Sequence, residues 1–230
     1  MTAASETLTL HTSYLTLDAR RRPVRDALVD THRMHQLVMS GWREDIFPGE
    51  VDPRAALGIL YAVSPGTDHH VRLVVQGRTA PNWKFDDGVL IGEVDQRVRR
   101  APLDGTISFQ LIAAPRKSRS QRPGANGIKL RGKKIPLPTE EREQWGRKAL
   151  TSAGLDVLTL DARDGRRLES DIKSLPREQR ATPKAVFAHT TVVYTGTARI
   201  TDPAAHLAAL SAGIGPAKAY GCGLLLTRPA

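Results

Sequence analysis

The chain has 230 residues, 40% hydrophobic and 25% charged, a balance that supports a buried core and excludes a disordered segment or a fibrous repeat as the whole protein. No stretch reaches the apolar length of a membrane span. Residues 1–10 contain Glu6 and lack a basic start followed by an apolar run, so the expected location is the cytoplasm. The single cysteine, Cys222, excludes an internal disulfide and a cysteine-built zinc cage, in keeping with a reducing compartment.

In chain order, residues 7–17 set Leu8, Leu10, Tyr14 and Leu15 among polar neighbours and read as a strand. Residues 25–41 have helical spacing. Two β-rich runs, 57–63 and 71–76, follow, parted by the turn formers Ser64, Pro65, Gly66, Thr67 and Asp68. Residues 81–100 read as a connector with short secondary structure. Strands are expected at 106–113 and 128–137, around a basic loop containing Pro123, Gly124, Ala125, Asn126 and Gly127. Thr139 reads as the N-cap of a helix running to about residue 153, with Glu140 and Glu141 in its first turn. Further strands are expected at 155–160 and 185–200, bracketing a polar stretch. Asp202, with Pro203 behind it, opens a helix ending at Gly213, and the apolar run 223–226 reads as a short closing strand. The order predicts an α+β fold of two βαββαβ-like halves in tandem, although no repeat is visible residue by residue.

The net charge of +10 is concentrated. Residues 116–184 hold 18 Lys and Arg against 9 Asp and Glu, whereas the rest of the chain holds 16 against 15. Such a block suits a polyanion, because each phosphate neutralised releases condensed counterions. The alternatives are a solvated basic surface or an anionic membrane face; the second would need an apolar helical stripe that this block lacks. A second polyanion feature is Gly213-Ile214-Gly215-Pro216-Ala217-Lys218-Ala219-Tyr220-Gly221-Cys222-Gly223. Glycine removes the Cβ that holds a phosphate away and opens positive φ, while Lys218 adds charge; a plain tight turn is the alternative.

His32 and His35 lie three apart on the first helix, on adjacent strips of its surface. Met34, Leu37, Val38 and Trp42 form its apolar stripe; His35 falls at the stripe's edge and His32 further toward solvent. Three readings stand: no role, metal ligation, or proton transfer near neutral pH. Metal ligation lacks a helix Glu and a third ligand, and imidazole suits proton transfer because its ordinary pKa is about 6.5. His11 and the pair His69 and His70 read as structural. The chain has no phosphate-binding Gly-x-x-x-x-Gly-Lys-Ser/Thr and no Gly-x-Ser-x-Gly elbow. Aromatic residues are 5%, too few to stack a run of unpaired bases, so a structured duplex or hairpin is the better partner.

The string GIGPAKAYGCGLL at 213–225, the histidine in RMHQLVMSGW at 33–42 and the segment TAPNWK at 79–84 together resemble the CasE family of CRISPR-associated endoribonucleases over essentially the full length. The resemblance implies tandem ferredoxin-like (RRM-like) domains, taken as 1–100 with the catalytic helix and 101–230 with a basic RNA-binding face and the glycine-rich loop. It implies metal-independent cleavage of precursor CRISPR RNA at the repeat hairpin, with no cofactor, by attack of a ribose 2′-OH to leave a 2′,3′-cyclic phosphate and a 5′-OH. It assigns His35 to proton transfer. His32 stands where well-known members carry tyrosine, so it is either a second acid/base group or an orienting one. Lys173, Arg177, Arg180 and Lys184 fall in the family's hairpin-gripping stretch. Arg116, Lys117, Arg119, Lys129, Arg131, Lys133 and Lys134 become candidate backbone contacts near the hairpin base, and Gly213, Gly215, Lys218, Gly221 and Gly223 a phosphate-facing loop. The implied partners are the precursor's repeat hairpin, the mature crRNA and other Cascade subunits, with no membrane. The alternative is a protein that holds a hairpin RNA without cutting it.

Overall fold

A computed structural model describes residues 8–43, 45, 49–119, 133–170 and 187–230. The first half contains β1 (Thr9–Asp18), α1 (Arg22–Val29), α2 (Thr31–Met39), a 3-10 turn (Ser40–Trp42), α3 (Pro53–Ala56), β2 (Leu60–Pro65), β3 (His70–Gly77) and β4 (Asp95–Arg100). The second contains β5 (Thr106–Ala113), β6 (Arg116–Arg119), β7 (Lys133–Pro136), α4 (Thr139–Ser152), β8 (Leu155–Ser170), β9 (Phe187–Ile200), α5 (Pro203–Ala212), a 3-10 turn (Lys218–Tyr220) and β10 (Leu225–Pro229). The two four-stranded antiparallel sheets run β2-β3-β1-β4 and β10-β5-β9-β8. Within each half the first strand lies between the third and the last, with the second at the far edge, which is the ferredoxin-like order. The fold is tandem ferredoxin-like α+β.

The halves are built to different completeness. In the second, α4 and α5 both cover the sheet. In the first, residues 78–94 contain no helix, so the expected βαββαβ pattern is cut short. An aromatic plug takes the helix's place: Trp83 stacks on Phe85 at 5.6 Å, meets Trp42 edge-on at 5.7 Å, and donates from Nε1 to Ser13 Oγ at 3.1 Å. A Cβ on Gly41 would stand 2.8 Å from the Trp83 ring, so only glycine fits beneath it.

The helix expected at 25–41 is two helices. Asp30 adopts φ −122° and ψ 112°, ending α1 and capping α2, where its carboxylate accepts from His32 N at 2.9 Å. Periodicity runs through the break, and the short polar side chain wins locally by bonding the backbone. Thr139 is the first residue of α4 and not its cap; Pro138 holds the cap position without a side-chain bond. The 155–160 strand continues to Ser170, because pairing with β9 carries the polar residues beyond 160 across a register shift between Asp164 and Arg167. The last strand is Leu225–Pro229, later than expected, because 213–224 forms a loop. The strand expected at 128–137 is described only as β7, which pairs with β6 in a separate two-stranded ribbon. Asp202 does cap α5, accepting from Ala205 N at 3.0 Å.

Each sheet buries one face under its own helices. Leu15, Leu17, Leu73 and Val75 belong to the first core, and Ile107, Phe109, Leu111 and Tyr194 to the second. Alternation along the strands points Leu60, Ala62 and Val74 the other way, onto Leu224, Ile112 and Leu226. The helix-free faces of the two sheets therefore meet at a seam. Across it Gln76 Nε2 donates to Leu210 O at 2.8 Å, and from the opposite, helix-covered face Tyr61 Oη reaches the second half, donating to Ala219 O at 3.0 Å. Beyond its sheet, the β8–β9 pair reaches the α1–α2 junction as an arm: Thr31 Oγ1 donates to Glu169 O at 3.0 Å and Arg166 Nη2 to Leu28 O at 2.8 Å. Among the described residues, no helix is long and apolar enough to cross a membrane.

Candidate functional site

On α2, Met34 and Val38 are buried with Trp42, which leaves His32 and His35 half-buried at the edge of the packed stripe. Their ring centroids are 6.4 Å apart. The His32 ring is steadied by Gln36, with Nε2 to Nε2 at 3.3 Å. The His35 Nδ1 is buried without a hydrogen-bond partner among the described residues. Burial, with smaller help from the charges of His32 and Arg54 and against Asp52, pushes the His35 pKa down to about 4. The imidazole is therefore neutral at physiological pH and keeps a ring nitrogen able to exchange a proton.

The glycine-rich loop returns the chain to this helix. Gly213, Gly215, Gly221 and Gly223 all have φ between 77° and 87°. Their lack of a Cβ also serves packing, since a Cβ on Gly213 would lie 2.7 Å from Leu60 and one on Gly221 3.0 Å from Tyr61. Four of the loop's amides are already used: Gly213 N donates to Ala209 O at 2.8 Å, Ile214 N to Gly223 O at 2.9 Å, Tyr220 N to Ala217 O at 2.9 Å and Gly223 N to Ile112 O at 2.7 Å. The glycines hold the loop's path, and its charge comes from Lys218. That ammonium has its pKa lowered by burial and then by the charge of Arg54.

Arg54 is the residue that sequence reasoning missed. Its α3 opens with Asp52 and Pro53, the same cap signature as α5, but a four-residue helix gives no periodicity to see. The side chain is only 15% exposed, donates from Nη1 to Ile59 O at 3.1 Å, and lies 3.7 Å from Asp52. Its charge acts on both His35 and Lys218. Tyr220, at the end of the 3-10 turn, feels Asp30 at the head of α2 and stands 5.9 Å from the His189 ring. The two histidines and Arg54 from the first half thus share one locale with Lys218 and Tyr220 from the second.

The basic candidates are more dispersed. Arg116, at the base of the ribbon, has its pKa lowered by burial and acts on His189 and Cys222. Lys117 pairs with Glu141 and Lys134 is exposed. Arg119 and Lys133 are backbone register partners at the ribbon's far end. Lys129, Arg131, Lys173, Arg177, Arg180 and Lys184 lie outside the described residues. Along β8, Arg163 pairs with Asp161 and Arg167 with Glu169, both at 2.6 Å, so local charge there is partly cancelled. No three His, Cys, Asp or Glu among the described residues stand together as metal ligands.

The family model described as CRISPR associated protein matches residues 10–229. Thermus thermophilus Cse3, solved bound to an RNA representing a pre-cleavage complex, is 22% identical with a TM-score of 0.69, over 96% of this chain and 100% of that one. The CRISPR-associated protein Cas6e from Escherichia coli K-12 is 21% identical with a TM-score of 0.65, again over 96% and 100%. A chain of a CRISPR RNA-guided surveillance complex is 19% identical with a TM-score of 0.61 over the same shares. These likenesses are of fold. No curated protein matches the chain.

Proposed function

The chain belongs to the family of CRISPR-associated proteins, and from that premise we propose that it is a CasE-type endoribonuclease that cuts precursor CRISPR RNA at its repeat hairpin. The observation that carries the reading is His35: a half-buried imidazole held neutral at the edge of the packed stripe, in one locale with Lys218 and Arg54. A neutral imidazole takes a proton at pH 7. His35 removes the proton of the 2′-OH beside the scissile phosphate; the 2′-oxygen bonds to phosphorus as the bond to the 5′-oxygen breaks. His32, with its ring centroid 6.4 Å away, returns a proton to that leaving oxygen, so the products are a 2′,3′-cyclic phosphate and a 5′-OH. Lys218 and Arg54 stabilise the extra charge on the phosphorane. This balance needs no metal ion.

The division of labour follows the halves, taken as domains 1–100 and 101–230. The first supplies proton transfer, and the second supplies most of the cations that hold a hairpin by its phosphates. The product crRNA stays bound, and the protein enters Cascade with it. Single-turnover cleavage of the matching repeat hairpin tests the reading. Replacing His35 with Ala should slow cutting by ~10²–10⁴-fold while leaving hairpin affinity in place. A variant that cuts as fast as the parent removes His35 from the chemistry, and a parent that binds without cutting returns the protein to the class of RNA holders. Activity that disappears with EDTA would exclude the metal-free route.

A further inference from the structure

Between the two halves lies a cavity of about 380 Å³ that the cleavage chemistry does not use. Its walls come from the α1–α2 junction, β2, β5, the β8–β9 arm and the turn at Tyr220. It adjoins the histidine site: Thr31 precedes His35 by one helical turn, and Tyr220 ends the turn that begins with Lys218. Most of the lining is apolar, with Met34, Val63, Ile112 and Val193. The polar groups divide into two kinds. Thr31, Thr191 and Arg166 are engaged: Thr31 on Glu169 O at 3.0 Å, Thr191 Oγ1 on Arg166 O at 2.6 Å, Arg166 on Leu28 O at 2.8 Å. Asp164, the acid in the wall, is paired with Arg142. The amide of Gln110 and the hydroxyl of Ser64 have no hydrogen-bond partner among the described residues and can read a ligand's edge.

We propose that this cavity receives one unstacked nucleobase of the RNA, from a nucleotide flanking the scissile phosphate. This rests on the endoribonuclease reading. The volume is within the roughly 300–1,000 Å³ of small-ligand pockets, enough for one nucleoside and too small for a duplex. An apolar slot with an aromatic side chain and an amide suits a base, whose faces are apolar and whose edge is a row of donors and acceptors. In-line attack requires the nucleotide at the cut to leave helical stacking, and an adjoining slot holds it in that geometry. A peptide would leave the polar edge groups less well matched, and a free anion would meet few donors on apolar walls.

The test is a cycle between protein and RNA. Val193→Trp fills the cavity from β9, and the RNA is the repeat hairpin, intact or with single abasic sites stepped through the nucleotides flanking the cut. On wild type, one abasic position should reduce single-turnover kcat/KM about tenfold. Val193→Trp should impose a similar loss on intact RNA, and that abasic site should then cost it almost nothing. Gln110→Ala, at an exposed side chain with no bond to lose, should lower the rate on intact RNA several-fold without moving Tm; it carries the test if Val193→Trp does not fold. Normal cutting by both variants, or an abasic loss that persists in full in Val193→Trp, overturns the slot. So does normal cutting with lost assembly into Cascade, which assigns the cavity to a protein partner. If wild type neither binds nor cuts the hairpin, the endoribonuclease reading itself has failed; if it cuts and the variants cut equally, only the slot has.

Discussion

Both halves lay their strands in the same order, yet the second carries two full helices over its sheet while the first replaces one helix with Trp83, Phe85 and a glycine-tight turn. Charge and imidazoles divide between the halves: the block 116–184 belongs to the complete one, and the histidine pair to the abbreviated one. Strand order sets the common scaffold, and the connections between strands carry the features in which the halves differ. Two histidines make the same point. His35 and His189 both have pKa values pushed down to about 4, chiefly by burial, but His189 is 3% exposed and His35 reaches solvent. A depressed pKa becomes useful only where a substrate can arrive.

The contrast is open to breaking, beginning with the largest effect. Lys218→Ala should cost single-turnover cleavage far less than the ~10²–10⁴-fold expected for His35→Ala; an equal loss with affinity intact would move chemistry into the second half. Next, Trp83→Ala should remove about 3 kcal/mol of stability in denaturant titration, in the range of large aromatic truncations. A loss under about 1 kcal/mol would mean the plug does not replace a helix.

Thr31→Val severs the arm from α2 and should slow cleavage a few-fold, about the worth of one hydrogen bond, with hairpin affinity unchanged and Thr31→Ser restoring the rate. An effect on affinity alone would show that the arm does not position the helix. The smallest signal is in pH. The folded pKa of His35 lies below its ordinary 6.5, so the unfolded chain binds the proton more readily. Its contribution to stability is complete above about pH 6.5 and is lost as pH falls toward 4; His189 adds a parallel term. NMR titration should find the His35 midpoint near 4 in the free protein and higher with RNA phosphate bound. A free midpoint near 6.5 would return His35 to an ordinary surface group.

What the sequence disclosed follows the range of the forces involved. The cap at Asp202, the edge position of His35 and most strands were legible because they depend on neighbours within a few residues. The break at Asp30 was hidden by a periodicity that runs through it. The arm was hidden because residues 161–170 are polar and become strand only by pairing with β9. Arg54, Tyr220 and the seam were invisible, since nothing local brings residue 54 or 220 to residue 35. The glycines were read for phosphate, and packing against Leu60 and Tyr61 accounts for two of them.

The bond from Tyr61 to Ala219 spans most of the chain. At roughly 5–20 residues per second of synthesis, Lys218 follows His35 out of the ribosome by about ten to forty seconds. Throughout that interval α2 exists without the cation and turn that later stand beside it. On the proposed role, a half-made molecule is a poor nuclease, and cleavage waits for β10 to close beside β5. Under that role, the order of translation would keep an unfinished chain from cutting the cell's other RNA.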